Sequence, residues 1–143
     1  MLLEGIKVVE MGQSLAGPWA ATIMGDMGAT VIKIEPPSGD AARGWGPPFI
    51  AGDSSAFHFV NRNKASVVLD VTDTGERVVF ERLIAEADVF IHNVRPGSAE
   101  RLKIDAATLR AINPSLIYGD IAAFGHVGPL AKRPGYEMAL QAY

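Results

Sequence analysis

The chain has 143 residues, enough for one domain with a hydrophobic core but not for a second, separate substrate domain. Its 13 basic and 16 acidic residues leave a net charge of -3, which argues against nucleic acid or an anionic membrane surface as the main partner. It has no cysteine and no apolar run near the roughly 18 residues that span a bilayer, so we exclude disulfides and thiolate catalysis and expect a cytoplasmic protein.

Five apolar runs rich in β-branched residues predict β-strands. They cover residues 7–11, 30–35, 66–70, 88–92 and 116–121. Most are apolar on consecutive residues, which is typical of strands that helices cover on both faces. Stretches with helical spacing separate them, so the pattern is a series of βαβ units. We therefore predict an α/β fold with a Rossmann-like, mostly parallel sheet and helices on both faces.

The segment after the first strand predicts a helix over residues 18–27. Pro18 suits the first helical position, and Gly28 lies just past the last turn. Residues 36–57, in contrast, are rich in glycine, proline and serine and show no clear period. We expect this segment to be irregular and to cover a ligand.

Two further helices are predicted from their start signals. Residues 73–87 begin with the Asp73 and Glu76 pair of a capping box and carry one apolar stripe. The stripe consists of Val79, Phe80, Leu83, Ile84 and Ala87. Asp105 can cap a shorter helix, which Asn113 and the proline after it end before the last strand.

The last eight residues, 136–143, begin another helical apolar pattern. It meets no cap, glycine or proline before Tyr143. Because a helix is not expected to stop there, we expect the native protein to continue beyond this sequence. A domain that is complete at Tyr143 is the alternative.

Ligands of open parallel sheets bind beyond the carboxyl ends of the strands. Here those ends lead into loops at residues 12–18, 36–45, 71–75, 93–101 and 124–137. Three of these loops carry basic side chains, namely Arg43, Arg95, Arg101, Lys132 and Arg133. They predict a positive edge suited to phosphate groups, the alternative being that arginines favour loops in any protein.

The first loop offers small residues and a helix N-terminus, whose free N–H groups attract anions. Glu35 ends the second strand, where a dinucleotide-binding fold keeps its ribose-binding carboxylate, so an NAD site is one alternative. The loop lacks the G-x-G-x-x-G pattern, which counts against NAD. Glu35 can equally be an ordinary strand end.

The histidines and tryptophans give weaker signals. His58, His92 and His126 have no partner at i+3 or i+4 for a local metal site, so no metal is predicted. His92 ends a strand and can face a ligand, but we favour a structural role. Trp45, in the irregular segment, is a better candidate for ligand contact than Trp19.

A series of short motifs runs along the whole chain. In order they are Leu3-Glu4-Gly5-Ile6-Lys7-Val8-Val9, Ala16-Gly17-Pro18, Met27-Gly28-Ala29-Thr30-Val31-Ile32-Lys33-Ile34-Glu35, Gly39-Asp40, Arg43-Gly44, Asn61-Arg62-Asn63-Lys64, Val68-Leu69-Asp70, Ala87-Asp88-Val89, Asn93-Val94-Arg95-Pro96-Gly97, Arg101-Leu102, Asn113-Pro114 and Arg133-Pro134-Gly135-Tyr136-Glu137. In order and spacing they closely resemble the amino-terminal portion of family III CoA-transferases. That group includes formyl-CoA transferase, carnitine CoA-transferase and α-methylacyl-CoA racemase.

The resemblance implies that residues 1–143 form the amino-terminal CoA-binding domain of a larger subunit, which interlocks with a second subunit in a homodimer. It implies acyl-CoA and a carboxylic acid as substrates, with no permanently bound cofactor. The CoA contacts carried over onto this sequence are Leu15, Ala16, Leu69, Asp70, Thr72, Asn93, Val94, Arg95, Arg101, Gly135, Tyr136 and Glu137. For Asn63 and Lys64 a structural role and a ligand role both stay open.

Two positions depart from the family pattern. Pro36 stands where some members place a charged side chain against CoA, so that contact is not expected here. At Gly135-Tyr136-Glu137, racemases of the group resemble Gly-His-Asp, in which the histidine acts as acid and base. Tyrosine is a poor base at neutral pH, which favours transfer over racemisation.

In the family, a carboxylate attacks the acyl-CoA thioester to give a mixed anhydride and then an enzyme-CoA thioester, from which CoA passes to the acceptor acid. By resemblance, the aspartate nucleophile lies beyond Tyr143 and Glu137 only lines the site. We therefore assign no catalytic residue to this sequence and expect the chain alone to lack transferase activity. A racemase-type parent and a non-catalytic CoA-binding module are the alternatives.

Overall fold

The computed structural model of the protein describes residues 1–142 and contains one parallel sheet and a small separate hairpin. The strands are β1 (Lys7–Met11), β2 (Thr30–Glu35), β3 (Phe49–Ile50), β4 (Asp53–Ser54), β5 (Lys64–Val68), β6 (Val89–His92) and β7 (Ile117–Asp120). The helices are α1 (Ala16–Asp26), α2 (Ser55–Asn61), α3 (Thr74–Glu86), α4 (Ser98–Arg101), α5 (Ala106–Ile112) and α6 (Glu137–Gln141), with a 3-10 turn at Ala41–Gly44. Within residues 1–142, no helix is long and apolar enough to cross a membrane.

The five longer strands lie in the order β5-β2-β1-β6-β7, and every neighbouring pair is parallel. Val8 of β1 pairs with Val31 on one side and with Val89 on the other. The chain winds outward from β1 to β5 and then returns to β6, so the winding direction reverses between β1 and β6. At such a reversal the loops diverge and open a crevice at the carboxyl ends of the strands. The predicted fold class is confirmed.

Apolar clusters cover both faces of this sheet, because successive strand residues point to opposite sides. Val8 lies in one cluster with Ala21 of α1, whereas Val9 lies in the other with Phe80 of α3. Phe80 is fully buried, and its ring meets that of Phe90 edge to face at 6.1 Å. This burial on both faces explains why the strands are apolar on consecutive residues.

Most predicted elements agree with the structure to within two residues at each end. β5 begins and ends two residues earlier than predicted, at Lys64 and Val68, and α1 begins at Ala16. Asp105 caps α5 as predicted, since its Oδ1 accepts a hydrogen bond from Thr108 N at 3.0 Å. The loops that follow the strands therefore fall at the carboxyl edge, where the sequence placed them.

The expectation of an irregular segment over residues 36–57 is wrong in its second half, which contains the β3–β4 hairpin and the start of α2. Ser54 begins α2, where its hydroxyl accepts a hydrogen bond from Phe57 N at 3.0 Å. The same hydroxyl donates to the Ala42 carbonyl at 2.5 Å and so joins the helix start to the 3-10 turn. A helix of 7 residues is too short to show a clear apolar period.

The start of α3 was predicted correctly, but its details differ. Asp73 caps the helix, because its side chain accepts hydrogen bonds from the N–H groups of Gly75 and Glu76 in the first turn of α3. Glu76 does not complete the predicted capping box, because its Oε2 accepts a hydrogen bond from Asp70 N at 2.5 Å instead. Val79, assigned to the apolar stripe, is 44% exposed, so the buried face of α3 is narrower than expected.

Candidate functional site

A crevice of about 280 Å³ opens at the carboxyl edge of the sheet, where β1, β2, β5 and β6 end. Its walls are mostly apolar, and they include Gly12, Pro36, Leu69, Asp70, Val94 and Leu102. Three CoA contacts expected from the resemblance, Leu69, Asp70 and Val94, therefore lie together. The crevice is also where the reversal of winding predicts a ligand.

The Asn93 side chain ties the loops after β1 and β6 together. Its Oδ1 accepts a hydrogen bond from Gln13 N at 2.8 Å, and its Nδ2 donates to Gln13 O at 2.9 Å. One side chain thus satisfies both backbone groups of a residue in the crevice wall. The expected contact Asn93 therefore fixes the two loops relative to each other.

Two glycines of the first loop permit this close approach. A Cβ added at Gly12 would lie 2.9 Å from Asn93 Oδ1 and 2.6 Å from Glu10 Oε1. One added at Gly17 would lie 3.1 Å from Asn93 Oδ1. A side chain at position 12 would push the loops apart, so the contact requires glycine there, whereas at position 17 the Asn93 side chain would have to move by a few tenths of an ångström.

The loop after β5 is stabilised from within. Thr72 donates both its hydroxyl, at 2.6 Å, and its backbone N–H, at 2.9 Å, to Asp70 Oδ1. These bonds hold the pKa of the Asp70 carboxyl below its usual range. Leu69 is buried and donates its N–H to Glu35 O at 2.9 Å, which continues the pairing with β2. Asp70 is therefore an ionised crevice residue held by its own turn.

Two arginines lie in the segment that supplies the crevice wall at Val94 and Leu102. Arg95 lies in the loop before α4, and Arg101 is the last residue of α4. Arg95 is exposed, and within residues 1–142 its guanidinium makes no ion pair. Arg101 is also exposed, and among the described residues its Nη2 reaches only Ser98 Oγ, at 3.4 Å. Both side chains are therefore available to an anion beside the crevice.

The remaining expected contacts are not part of the crevice wall. Leu15 and Ala16 are exposed at the start of α1, two and three residues beyond Gln13. Gly135 packs closely beneath the loop after β7, and Tyr136 is 68% exposed. The Glu137 side chain lies outside the described part of the structure.

The carboxylate of Glu35 is already occupied, which argues against an NAD site. Its Oε1 accepts from Arg43 Nη2 at 2.7 Å and Ser66 Oγ at 2.5 Å. Its Oε2 accepts from Arg43 Nε at 2.8 Å and Asp40 N at 3.0 Å. Burial raises the pKa of Glu35, but Arg43 and Ser66 outweigh it and hold the pKa at about 2. No lone pair is left to bind a ribose.

The expectation that Arg43 is a phosphate-binding residue is wrong for the same reason. Besides Glu35, it pairs with Asp53 Oδ2 at 2.6 Å and lies 3.8 Å from the centre of the Phe57 ring. This side chain therefore fastens the β3–β4 hairpin to the sheet. Trp45, also assigned to a ligand, is 47% exposed and does not belong to the crevice wall.

His92 is buried at the end of β6. Its Nε2 lies 2.5 Å from the Tyr118 hydroxyl, and its Nδ1 accepts from Val94 N at 3.4 Å. Burial lowers the pKa of His92 and raises that of Tyr118. These contacts support the structural interpretation of His92. In the part of the chain that the structure describes, no three His, Asp or Glu side chains form a metal site.

Sequence reasoning missed four charged side chains that lie buried beneath the first loop, Glu10, Lys33, Asp40 and Lys64. A signal was present, since Glu10 and Lys33 interrupt apolar strands and pair directly in the β1–β2 register. A charge in a strand covered on both faces needs a buried partner. For Lys64, whose role was open, the structure supports a structural function.

Comparisons with known proteins agree with the resemblance. The sequence model described as CoA-transferase family III matches residues 3–143. The chain is 44% identical over 140 residues to acetyl-CoA:oxalate CoA-transferase of Acetobacter aceti, covering 97% of this chain and 36% of that protein. It is 38% identical over 141 residues to human succinyl-CoA:glutarate CoA-transferase, covering 98% of this chain and 32% of that protein. The chain thus spans about a third of the length of these curated relatives.

Solved structures give the same result. A CAIB/BAIF family protein from Brucella suis superposes with a TM-score of 0.93 at 46% identity, covering 98% of this chain and 38% of that one. A protein described as a putative betaketoacyl-ACP reductase superposes with a TM-score of 0.53 at 16% identity, which reflects the shared fold alone.

Proposed function

This chain belongs to CoA-transferase family III, and on that premise we propose that it forms the amino-terminal CoA-binding domain of an enzyme that moves coenzyme A from an acyl-CoA to a carboxylic acid. The observation that supports this most is the apolar crevice at the carboxyl edge, bounded by loops that Asn93 joins. The curated relatives described above are CoA-transferases, which favours transfer over racemisation.

The chemistry of the crevice suits the two ends of CoA. Leu69, Val94 and Leu102 offer an apolar wall to the pantetheine arm. Arg95, in the loop before α4, and Arg101, at the end of α4, can bind the diphosphate or the 3′-phosphate through charge-assisted hydrogen bonds. The chain as a whole is acidic, so these two arginines provide local rather than overall attraction.

In the proposed reaction, an enzyme carboxylate attacks the thioester carbonyl, the CoA thiolate leaves, and a mixed anhydride forms. The thiolate then attacks the enzyme-derived carbonyl of the anhydride, which releases the donor acid and leaves CoA on the enzyme as a thioester. The acceptor carboxylate repeats these steps in reverse. We assign the residues of this chain to CoA binding and none to nucleophilic attack. The interlocked homodimer of the full-length protein stays a prediction.

Titration calorimetry of this chain with CoA and with 3′-dephospho-CoA tests the binding assignment. Arg95→Gln is expected to weaken CoA binding about tenfold, since a charge-assisted contact to phosphate is lost. Arg82→Gln, an exposed arginine on α3, is the matched control and should change the affinity less than twofold. Wild-type protein that shows no binding at millimolar CoA, or equal effects of the two substitutions, would contradict the assignment.

A further inference from the structure

The four buried charges beneath the first loop form a balanced cluster of two cations and two anions, which we call the charge cluster: Glu10, Lys33, Asp40 and Lys64. Their side chains are at most 1% exposed. Lys33 Nζ lies 3.4 Å from Glu10 Oε2 and 2.9 Å from Asp40 Oδ2, and Lys64 Nζ lies 3.2 Å from Glu10 Oε2. Asp40 Oδ2 accepts no well-formed hydrogen bond among the described residues, so its contact with Lys33 is ionic.

Every member of the charge cluster also binds the backbone of the first loop. The bonds run from Gly12 N to Glu10 Oε1 at 2.6 Å, from Lys33 Nζ to Gly12 O at 2.9 Å, from Ser14 N to Asp40 Oδ1 at 3.0 Å, and from Lys64 Nζ to Pro18 O at 2.8 Å. Asn93 binds both backbone groups of the intervening Gln13. Side chains therefore hold the loop from Gly12 to the first turn of α1.

One residue of the loop has a backbone conformation that needs such support. Ser14 has a φ of 69°, in the left-handed region that residues other than glycine rarely adopt. The Ser14 N–H donates a hydrogen bond to Asp40 Oδ1. Without that bond, relaxation of Ser14 would turn the chain at Leu15 and Ala16. The N–H groups at the start of α1 lack partners within the helix, so their direction depends on this turn.

The energetics favour a positioning role over a contribution to stability. Burying four charges is costly even when they are paired, and apolar residues of similar size often stabilise a fold equally well. Apolar residues, however, cannot bind four backbone groups of one loop. What the charges specifically do is orient the backbone of the first loop, through charge-assisted hydrogen bonds to groups in the crevice wall.

We propose that Glu10, Lys33, Asp40 and Lys64 are positioning residues that hold the first loop in the conformation that binds CoA. This inference rests on the proposed function, because it takes CoA as the ligand of that loop. The charge cluster acts through the loop backbone and does not touch the ligand. Burial lowers the pKa of Lys64, the lysine 3.2 Å from Glu10 Oε2, to about 8.

Asp40 offers the sharpest test, because two substitutions separate its bond from its charge. Asp40→Asn keeps an acceptor for the two N–H groups that Oδ1 binds, those of Ser14 and Ala42, whereas Asp40→Ala removes it. We expect Asp40→Ala to weaken CoA binding at least tenfold. Asp40→Asn should keep the affinity for CoA within about threefold of wild type. Ile84→Val, in the cluster on the other face of the sheet, is a control that loosens packing without touching the loop and should leave affinity within twofold.

Hydrogen–deuterium exchange of the ligand-free protein tests the positioning separately from CoA. Asp40→Ala should speed the exchange of the amides of residues 13–17 at least tenfold relative to the rest of the sheet, and Ile84→Val should not. Fast exchange spread evenly over the chain would overturn the inference. So would an Asp40→Ala affinity loss no larger than that of Ile84→Val. If exchange responds as expected but wild-type protein does not bind CoA, the proposed function fails and the assignment of the loop as a CoA loop fails with it.

Discussion

Replacing Glu35 with glutamine removes one buried charge and leaves the shape of the side chain unchanged. The ordinary pKa of this carboxyl is 4.5, and in the folded protein it is about 2. That difference corresponds to at most about 3.4 kcal/mol of stability at neutral pH. The partner Arg43 is 34% exposed, so solvent screening lowers our expectation to about 2 kcal/mol.

The pH dependence follows from the direction of this shift. A carboxyl whose pKa is lower in the folded state binds fewer protons there than in the unfolded state. The stabilisation by Glu35 is therefore fully present above about pH 4.5 and is lost as the pH falls towards 2. The difference between wild type and Glu35→Gln should be about 2 kcal/mol at pH 7 and less than half of that at pH 3.

Urea unfolding at pH 7 and pH 3 measures both differences. Glu86→Gln is the control, because Glu86 is 73% exposed and pairs with Lys7 at the surface, where an ion pair contributes at most about 1 kcal/mol. A gap between wild type and Glu35→Gln that is equal at the two pH values would refute the reasoning. So would an effect at pH 7 no larger than that of Glu86→Gln.

Three further predictions concern packing and local structure. Phe80→Ala should cost about 3–5 kcal/mol in urea unfolding, since the ring is fully buried against Phe90, and a cost near 1 kcal/mol would show that the core collapses around the gap. Gly12→Ala should lower the melting temperature and shift the backbone amide NMR peaks of the first loop, because the added Cβ would lie 2.6 Å from Glu10 Oε1; an unchanged spectrum would contradict this. Asp73→Ala should cost about 1 kcal/mol through loss of the α3 cap, and a neutral effect in the same assay would count against the cap.

The fold could be predicted from the sequence because its signals are local. The strand at residues 30–35 and the cap at Asp105 depend on neighbours in the chain, and both were placed correctly. The helix α2 was missed because it has only 7 residues and its start depends on Ser54, which also bonds to a distant carbonyl.

Partners distant in the sequence limited the prediction of the site. Arg43 looked like a phosphate ligand because its loop is correctly placed, but Glu35 and Asp53 already occupy its guanidinium. Glu10 and Lys33 interrupt apolar strands in the sequence, but only the strand register shows that they face each other. The crevice itself follows from strand order, which sequence periodicity alone does not specify.

The most direct test of the central claim is a 15N NMR titration of this chain with CoA, because amide shifts locate the ligand on the fold. We predict that the largest shifts fall at the carboxyl-edge crevice, at Gly12, Gln13, Asp70 and Val94. A second concavity, of about 570 Å³, lies at the opposite edge of the sheet beside Gly28. Shifts confined to that edge, or no shifts at millimolar CoA, would contradict the account.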